Sequence, residues 1–399
     1  MTSFLFLKVP EHRRALEVLS QGGEGRFVGS AVRDSLLGCA ISDFDIATTH
    51  APNAVFGLFA PYAQHVVKTG IAHGTVTVHM DGYVYEITTL REDLACDGRN
   101  ARVQYTQSWE KDASRRDFTF NALYVDAGGT LYDYHGGVQD LNDGVVRFIG
   151  DPQKRIAEDY LRILRFFRFT ARYGHGHVDD ASLKACLTYK EDLLRLSRER
   201  IATELTKLMT GPLLDKVVSI WTQQGFWERL GGCVPQSSER WFSLFELSQA
   251  SGLQADFLTQ MYSLYGSVMP SFILPRAHQT FYKLLSDPIP SFQDENDLLD
   301  LWSTLLSEGS FGLLWSRLWL TLADLNQWPL STRVRCLKRI KADGARTPLP
   351  FPISGEDIVA LGVSGPLVGE VLSQARTLWQ TSRGAASREA LLAHIEKKL

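Results

Sequence analysis

Hydrophobic and polar positions along the chain change their period near residue 150. Before it, short apolar runs rich in β-branched residues are separated by turn pairs. Thr75–Met80 and Tyr83–Thr88 flank Asp81-Gly82, a two-residue hairpin signal, and Gly128-Gly129 separates Ala122–Val125 from Leu131–Tyr134. Between these pairs, Arg91–Asp112 is polar and holds no clean period. It predicts a long loop with at most one short strand, and loops of that length inside a domain are usually functional. From Asp151 the period becomes helical: Asp151-Pro152 is a helix-start pair, and Ile156, Tyr160, Ile163, Leu164 and Phe167 form one apolar stripe. Ser197 through Arg200 opens a further helix, and helical patterns continue to about residue 345, with a loop marked by Pro288-Ile289-Pro290 and Asp294–Asp297. The proline-rich stretch 347–352 reads as a linker into a last small helical unit. The fold class is therefore α+β: a head of mixed sheet and helices over residues 1–150, then an elongated all-helical remainder.

Composition changes this picture little. A chain of 399 residues is long enough for two to four compact units, and 44% apolar with 22% charged residues is ordinary for a soluble protein. The net charge of −3 means that any nucleic-acid partner must be met by local basic stripes. Cys39, Cys96, Cys186, Cys233 and Cys336 form no C-x-x-C pair, which predicts reduced thiols in a cytoplasmic protein. The apolar run Phe4–Leu7 is too short for a signal-peptide core, and no segment is long enough to predict a membrane span.

The candidate chemistry begins with two aspartates. Asp43 and Asp45 are two residues apart, so an extended strand puts both carboxylates on one face while Phe44 and Ile46 point into a core. Paired carboxylates are costly unless a cation neutralises them, and hard oxygen ligands suit Mg²⁺, which in nucleotide polymerisation clamps the attacking and leaving oxygens at phosphorus. Upstream, Gly29 and Ser30 end the run Phe27-Val28 in a small-residue turn whose backbone N–H groups suit phosphate, with Arg33 in reach of the same phosphates. Glu86, in the strand Tyr83–Thr88, is the candidate third acid to help deprotonate an incoming 3′-hydroxyl. A surface glutamate on an antiparallel strand would read the same way.

The second constellation is Asp159, Arg162, Arg165 and Arg168, which recur every three residues. On a helix each such step turns about 300°, so the four side chains form one slanting row. A solvated face with one ion pair is the bland reading. The sharper one is base reading. An aspartate accepts from the exocyclic amine of cytosine or adenine, an arginine donates to the adjacent ring nitrogen, and guanine or uracil would leave both unpaired.

These residues and their order resemble the class II family of tRNA nucleotidyltransferases and bacterial poly(A) polymerases. Gly29-Ser30-x-Val32-Arg33-Asp34 with Asp43-x-Asp45 is similar to the family's metal-binding motif, and Arg115-Arg116-Asp117-Phe118-Thr119-Phe120-Asn121-Ala122 to its ribose-recognition motif. Asp133 through Leu141 resembles the hinge between head and neck, and Glu158-Asp159-x-x-Arg162 the base-reading motif. The resemblance implies a nucleotidyltransferase head (1–150), a neck (151–215), a body (216–345) and a tRNA-binding tail (346–399). It implies Asp43 and Asp45 as metal ligands with Glu86 near them, Arg116 and Asp117 at the ribose or phosphates, and Asp159 and Arg162 at the base. Arg165 and Arg168 would lie further along the nucleotide or at its phosphates. The family usually has a second glycine where this chain has Ser30, so phosphate contact requires that Ser30 avoid the left-handed region.

Within the family, Thr69–Val76 is similar to the tRNA enzymes, and the loop holding Asp97-Gly98-Arg99 to enzymes that add the final A. With the motifs above, the resemblance implies Mg²⁺-dependent CCA addition to tRNA from CTP and ATP, and it implies no stable protein partner. A-only addition and poly(A) synthesis remain open, and an RNA-binding protein on a degenerate transferase scaffold is the non-enzymatic alternative. The basic run Arg333–Arg346 is a candidate phosphate stripe for the tRNA, and Ser354-Gly355-Glu356-Asp357 resembles a tail motif. The ten histidines include no His-Asp pair, so no added metal-hydrolase activity is expected.

Overall fold

The computed structural model describes residues 4–70, 74–96, 101–236, 238–273, 275–285, 294, 298, 311–325, 327–343, 351–381 and 386–397. They form two compact units, Met1–Arg229 and Leu230–Leu399.

The first unit is built on a seven-stranded mixed sheet. Its strands are β1 (Gly25–Val28), β2 (Phe44–Thr48), β3 (His65–Gly70), β4 (Thr75–Met80), β5 (Tyr83–Thr89), and two later strands at Leu123–Val125 and Leu131–Asp133. Their order is β3-β4-β5-β2-β1, then Leu123–Val125 and Leu131–Asp133. The β2–β5 pair is parallel and the other pairs are antiparallel. Asp81 and Gly82 both take positive φ (53° and 83°), the turn geometry that matches strand twist in a two-residue hairpin. On one sheet face Phe6, Phe27, Phe44, Tyr83 and Tyr85 gather around the buried His12, whose Nδ1 lies 2.9 Å from the Tyr85 hydroxyl. On the other, Val28, Ala47, Leu90, Ala122 and Tyr124 form a second core.

The stretch Arg91–Asp112 departs from the loop expected of it. It holds two paired strands, β6 (Arg91–Cys96) and β7 (Ala101–Tyr105), and its end enters helix α1 (Trp109–Ser114). The pairing is backbone-driven between polar strands, so no apolar alternation announced it. Asp97-Gly98-Arg99 lies outside the described residues, as do Ile71–His73 of the Thr69–Val76 segment.

Helices follow the sheet. Asp151 accepts from the Gln153 N–H at 2.8 Å with Pro152 in the first turn, starting α2 (Pro152–Glu158). Then come α3 (Leu161–Tyr173), α4 (Asp180–Thr188), α5 (Arg198–Leu208) and α6 (Leu214–Gln224). Ser197 caps α5 by accepting from the Arg200 N–H. Phe166 and Phe167 of α3 are fully buried, Phe167 against Trp221 and Phe226. The described elements of the second unit are helical, among them Glu239–Ser251, Phe257–Tyr265, Phe311–Asp324 and Leu330–Asp343. A terminal cluster of Ile358, Trp379, Leu391 and Ile395 follows, opened by a capping box between Ser354 and Asp357. Arg333, counted in the expected phosphate stripe, is instead buried, with Nη1 on Ser243 Oγ and the Leu322 carbonyl. Arg335, Lys338, Arg339 and Lys341 are exposed on that helix; Arg346 and most of the proline-rich stretch lie outside the described residues, as do Pro288–Pro290 and Glu295–Asp297. Among the described residues no helix is long and apolar enough to cross a membrane, and Cys39, Cys186, Cys233 and Cys336 are in no disulfide.

Candidate active site

At the end of β1 the chain turns at Gly29, with φ 71° and ψ −120°, a conformation closed to residues with a Cβ. Helix Ser30–Leu36 follows, and no side-chain oxygen caps its first turn. Ser30 is already helical, so the serine carries no left-handed strain and its backbone N–H keeps the placement a glycine would give. Its hydroxyl donates to the Asp43 carbonyl at 3.3 Å, joining the turn to the neighbouring strand.

Asp45 lies opposite Val28 on β1 and beside Glu86 on β5, while Asp43 immediately precedes the strand and is exposed. Burial, with Glu86 and Asp43 adding to it against Arg116 and Arg33, pushes the Asp45 carboxyl up to about 6. A carboxylate in that condition is under-neutralised, and a divalent cation would relieve it. Among the described residues no three His, Cys, Asp or Glu side chains form a metal cage. The donor set fits a hard ion carried by two carboxylates and completed by substrate phosphate oxygens.

A cleft of about 800 Å³ gathers most of the predicted residues. Gly29, Ser30, Arg33, Asp43, Asp45, Arg116, Asp117, Asp159, Arg162, Arg165 and Arg168 all line it. Glu86 is outside that lining, exposed at the register position next to Asp45.

The charged row differs from the continuous helical row expected. Helix α2 ends at Glu158, Asp159 is extended (φ −156°, ψ 108°), and α3 restarts at Leu161. The break is stabilised by Asp159 itself, whose Oδ1 accepts from the Leu161 N–H at 3.0 Å. Its partner is Arg200 of α5, with Nη2 at 3.0 and 2.7 Å from the two oxygens, and not Arg162. Arg162 Nη1 instead donates to Glu158 at 2.5 Å and to the Arg155 carbonyl at 2.6 Å. Of the row, Arg162, Arg165 and Arg168 lie on α3, and Arg172 of the same helix lines the cleft with them. Arg165 Nε donates to Asp117 Oδ2 at 2.6 Å, and Arg168 lies 3.1 Å from Glu204.

Asp117 is enclosed. Its Oδ1 accepts from the Phe118 N–H and from Asn121 Nδ2, each at 2.9 Å. Burial alone would raise its pKa; Arg165, Asn121 and the Phe118 N–H overcome that and hold it at about 2. Arg33 is held as well, by Asp34 at 2.9 Å and Asn121 Oδ1 at 2.6 Å, with Tyr173 of α3 donating to Asp34 at 2.8 Å. It lines the cleft from this network and does not swing freely toward the Gly29 turn. Sequence reasoning missed Arg200, Glu204 and Tyr173, which meet the site only through the fold. Asn121 stood inside a quoted motif without a role.

The Poly A polymerase head domain family matches residues 25–147. The mouse mitochondrial CCA tRNA nucleotidyltransferase 1 is 31% identical over 94% of this chain and 87% of its own length. The chain belongs to the class II CCA-adding enzyme family. A CCA-adding enzyme of Oceanobacillus iheyensis is 40% identical over half of each chain. The fold matches the crystal structure of a Bacillus stearothermophilus CCA-adding enzyme in complex with CTP, with a TM-score of 0.73 at 24% identity over 98% of this chain and 97% of that one. A Thermotoga maritima CCA-adding enzyme complexed with tRNA matches with a TM-score of 0.65 at 20% identity, over 97% and 94%. One cleft is shared by the Gly29 turn, the Asp43-x-Asp45 pair, the Arg116-Asp117 segment and Asp159.

Proposed function

We propose that this chain builds the 3′-terminal CCA of tRNA, transferring CMP and AMP from CTP and ATP to the tRNA 3′-hydroxyl and releasing pyrophosphate. The observation that carries the proposal is one cleft lined by Asp43, the under-neutralised Asp45, Asp159 and Arg162. Asp43 and Asp45 would hold Mg²⁺, which when bound supplies charge neutralisation at the reacting phosphate. Glu86, beside Asp45, is the acid set to take the 3′-hydroxyl proton. The Gly29-Ser30 turn and Arg116 bind phosphates, with Arg33 holding the turn's helix, and Asp117 orients the ribose side through Arg165. Arg168, braced by Glu204, adds cationic charge along the nucleotide.

At the base, Arg200 and the Leu161 N–H occupy three of roughly four acceptor positions of Asp159. One remains for the exocyclic amine of cytosine or adenine, while Arg162 donates to the ring nitrogen. Residues 1–150 serve as the catalytic head, 151–215 as the base-reading neck, and 216–345 and 346–399 as body and tail for tRNA. A cytoplasmic location goes with the free thiols; the mouse relative is named as mitochondrial.

The test offers tRNAs ending at the discriminator base, at C and at CC to the protein with each nucleotide and a divalent metal, and sequences the products. Ordered CCA is expected. A alone on CC ends would mean an A-adding enzyme, and long A tracts a poly(A) polymerase. No incorporation with intact tRNA binding would mean a non-catalytic scaffold. Asp43→Ala should abolish incorporation while leaving tRNA binding in place.

A further inference from the structure

One carboxylate close to the cleft has no part in this scheme. Asp112, in the short helix Trp109–Ser114, is 1% exposed and not itself in the cleft lining. Both of its oxygens are engaged. Oδ1 accepts from Arg115 Nε at 2.9 Å and from the Arg91 N–H at 3.2 Å; Oδ2 accepts from the Tyr124 hydroxyl at 2.8 Å and Arg116 Nη2 at 3.3 Å. The Tyr124 hydroxyl in turn accepts from Arg116 Nε at 3.1 Å, and the guanidinium lies 5.3 Å from the centre of the Tyr124 ring.

Two of the three guanidinium nitrogens of Arg116 are thereby fixed from behind. The third, Nη1, has no hydrogen-bond partner among the described residues. It points to the gap at the Gly29 turn, where the place a Cβ of residue 29 would take is 3.9 Å from both Arg116 Nη1 and Asp45 Oδ2. A planar fork held at two corners delivers its remaining donor in one direction, and donors preorganised toward developing charge act on the rate of transfer more than on ground-state binding.

We propose that Asp112 and Tyr124 are positioning residues that act through Arg116, holding its Nη1 toward the phosphate that reacts between Gly29 and Asp45. This rests on the transferase reading above. It predicts a loss in kcat with little change in KM, and it predicts that the loss needs Arg116.

The experiment is a double-mutant cycle on the full chain with tRNA, CTP or ATP, and Mg²⁺. Asp112→Asn should lower kcat on the order of 100-fold and Tyr124→Phe about 10-fold, with nucleotide KM changed by less than about 3-fold. In an Arg116→Ala background each change should cost less than about 2-fold more, because the group it positions is gone. If Asp112→Asn fails to fold, judged by thermal unfolding, Tyr124→Phe carries the same cycle with only a hydroxyl removed. Losses that multiply in the Arg116→Ala background, or that fall on KM, overturn the assignment while leaving the transferase reading intact. Absence of incorporation by the unaltered protein would instead overturn that reading.

Discussion

On one side of the cleft, Asp43 and Asp45 stand with Glu86 beside them, and burial leaves the Asp45 carboxyl raised despite Arg116 and Arg33. On the other side, Arg162 shares Glu158 with Arg155, Arg165 meets Asp117 and reaches Glu204, Arg168 meets Glu204, and Asp159 has Arg200. In the first group burial outweighs the compensation that Arg116 and Arg33 give Asp45. The second is cross-braced by ion pairs, so these side chains are held in place and have little reorganisation left to do. On the function proposed above, one side would take up a cation with its phosphates and the other would read a shape.

The largest test of this contrast removes an acid from the unbalanced side. Asp45→Ala should lower incorporation by on the order of 1,000-fold or more while the protein's thermal stability holds or rises, since a poorly compensated carboxylate is lost. A fall in stability with normal turnover would break the comparison. On the paired side the order reverses. Asp117→Ala leaves Arg165 with only the more distant Glu204, 3.9 Å away, and urea unfolding should show a loss of about 3 kcal/mol. Next in size is nucleotide choice. Asp159→Ala should reduce the preference for CTP and ATP over UTP and GTP by on the order of 10- to 100-fold, and Arg200→Ala by less, measured as ratios of kcat/KM.

A pH series sharpens the same point. Asp117 is held at about 2, below the ordinary 3.8, so its contribution to stability is fully present above about pH 4 and fades as pH falls toward 2. It amounts to roughly 2 kcal/mol, and Asp117→Asn should flatten that acid limb in unfolding measurements between pH 5 and 2. The smallest effect is expected at Ser30. Its helical backbone leaves the N–H unchanged on Ser30→Gly, so kcat should move by less than about 3-fold and stability fall by about 0.5–1 kcal/mol.

Legibility in the sequence followed the range of the interaction. The Asp81-Gly82 hairpin, the Asp151-Pro152 helix start and the Ser197 cap were readable because each is closed by residues within four positions of one another. The Asp43-x-Asp45 spacing was readable because strand alternation acts over two residues. The β6–β7 hairpin was not, since polar strands pair through their backbones and leave no apolar period. The row from Asp159 to Arg168 misled for a related reason: spacing by three suits a helix, but the capping of Leu161 by Asp159 and the pull of Arg200 from 41 positions away break it.

The sequence by itself therefore determined the order of the parts: a glycine turn, an aspartate pair, an Arg-Asp segment and an acid-arginine stripe, in an α+β head followed by helices. Tertiary structure decided the pairing. That Asp159 meets Arg200, that Arg165 closes on Asp117, and that Asp112 and Tyr124 grip Arg116 while Nη1 is left open are facts of distance between elements. A local pattern cannot carry them, because which of several nearby charges a side chain meets depends on how helices and strands pack, and that is set by the whole core beneath them.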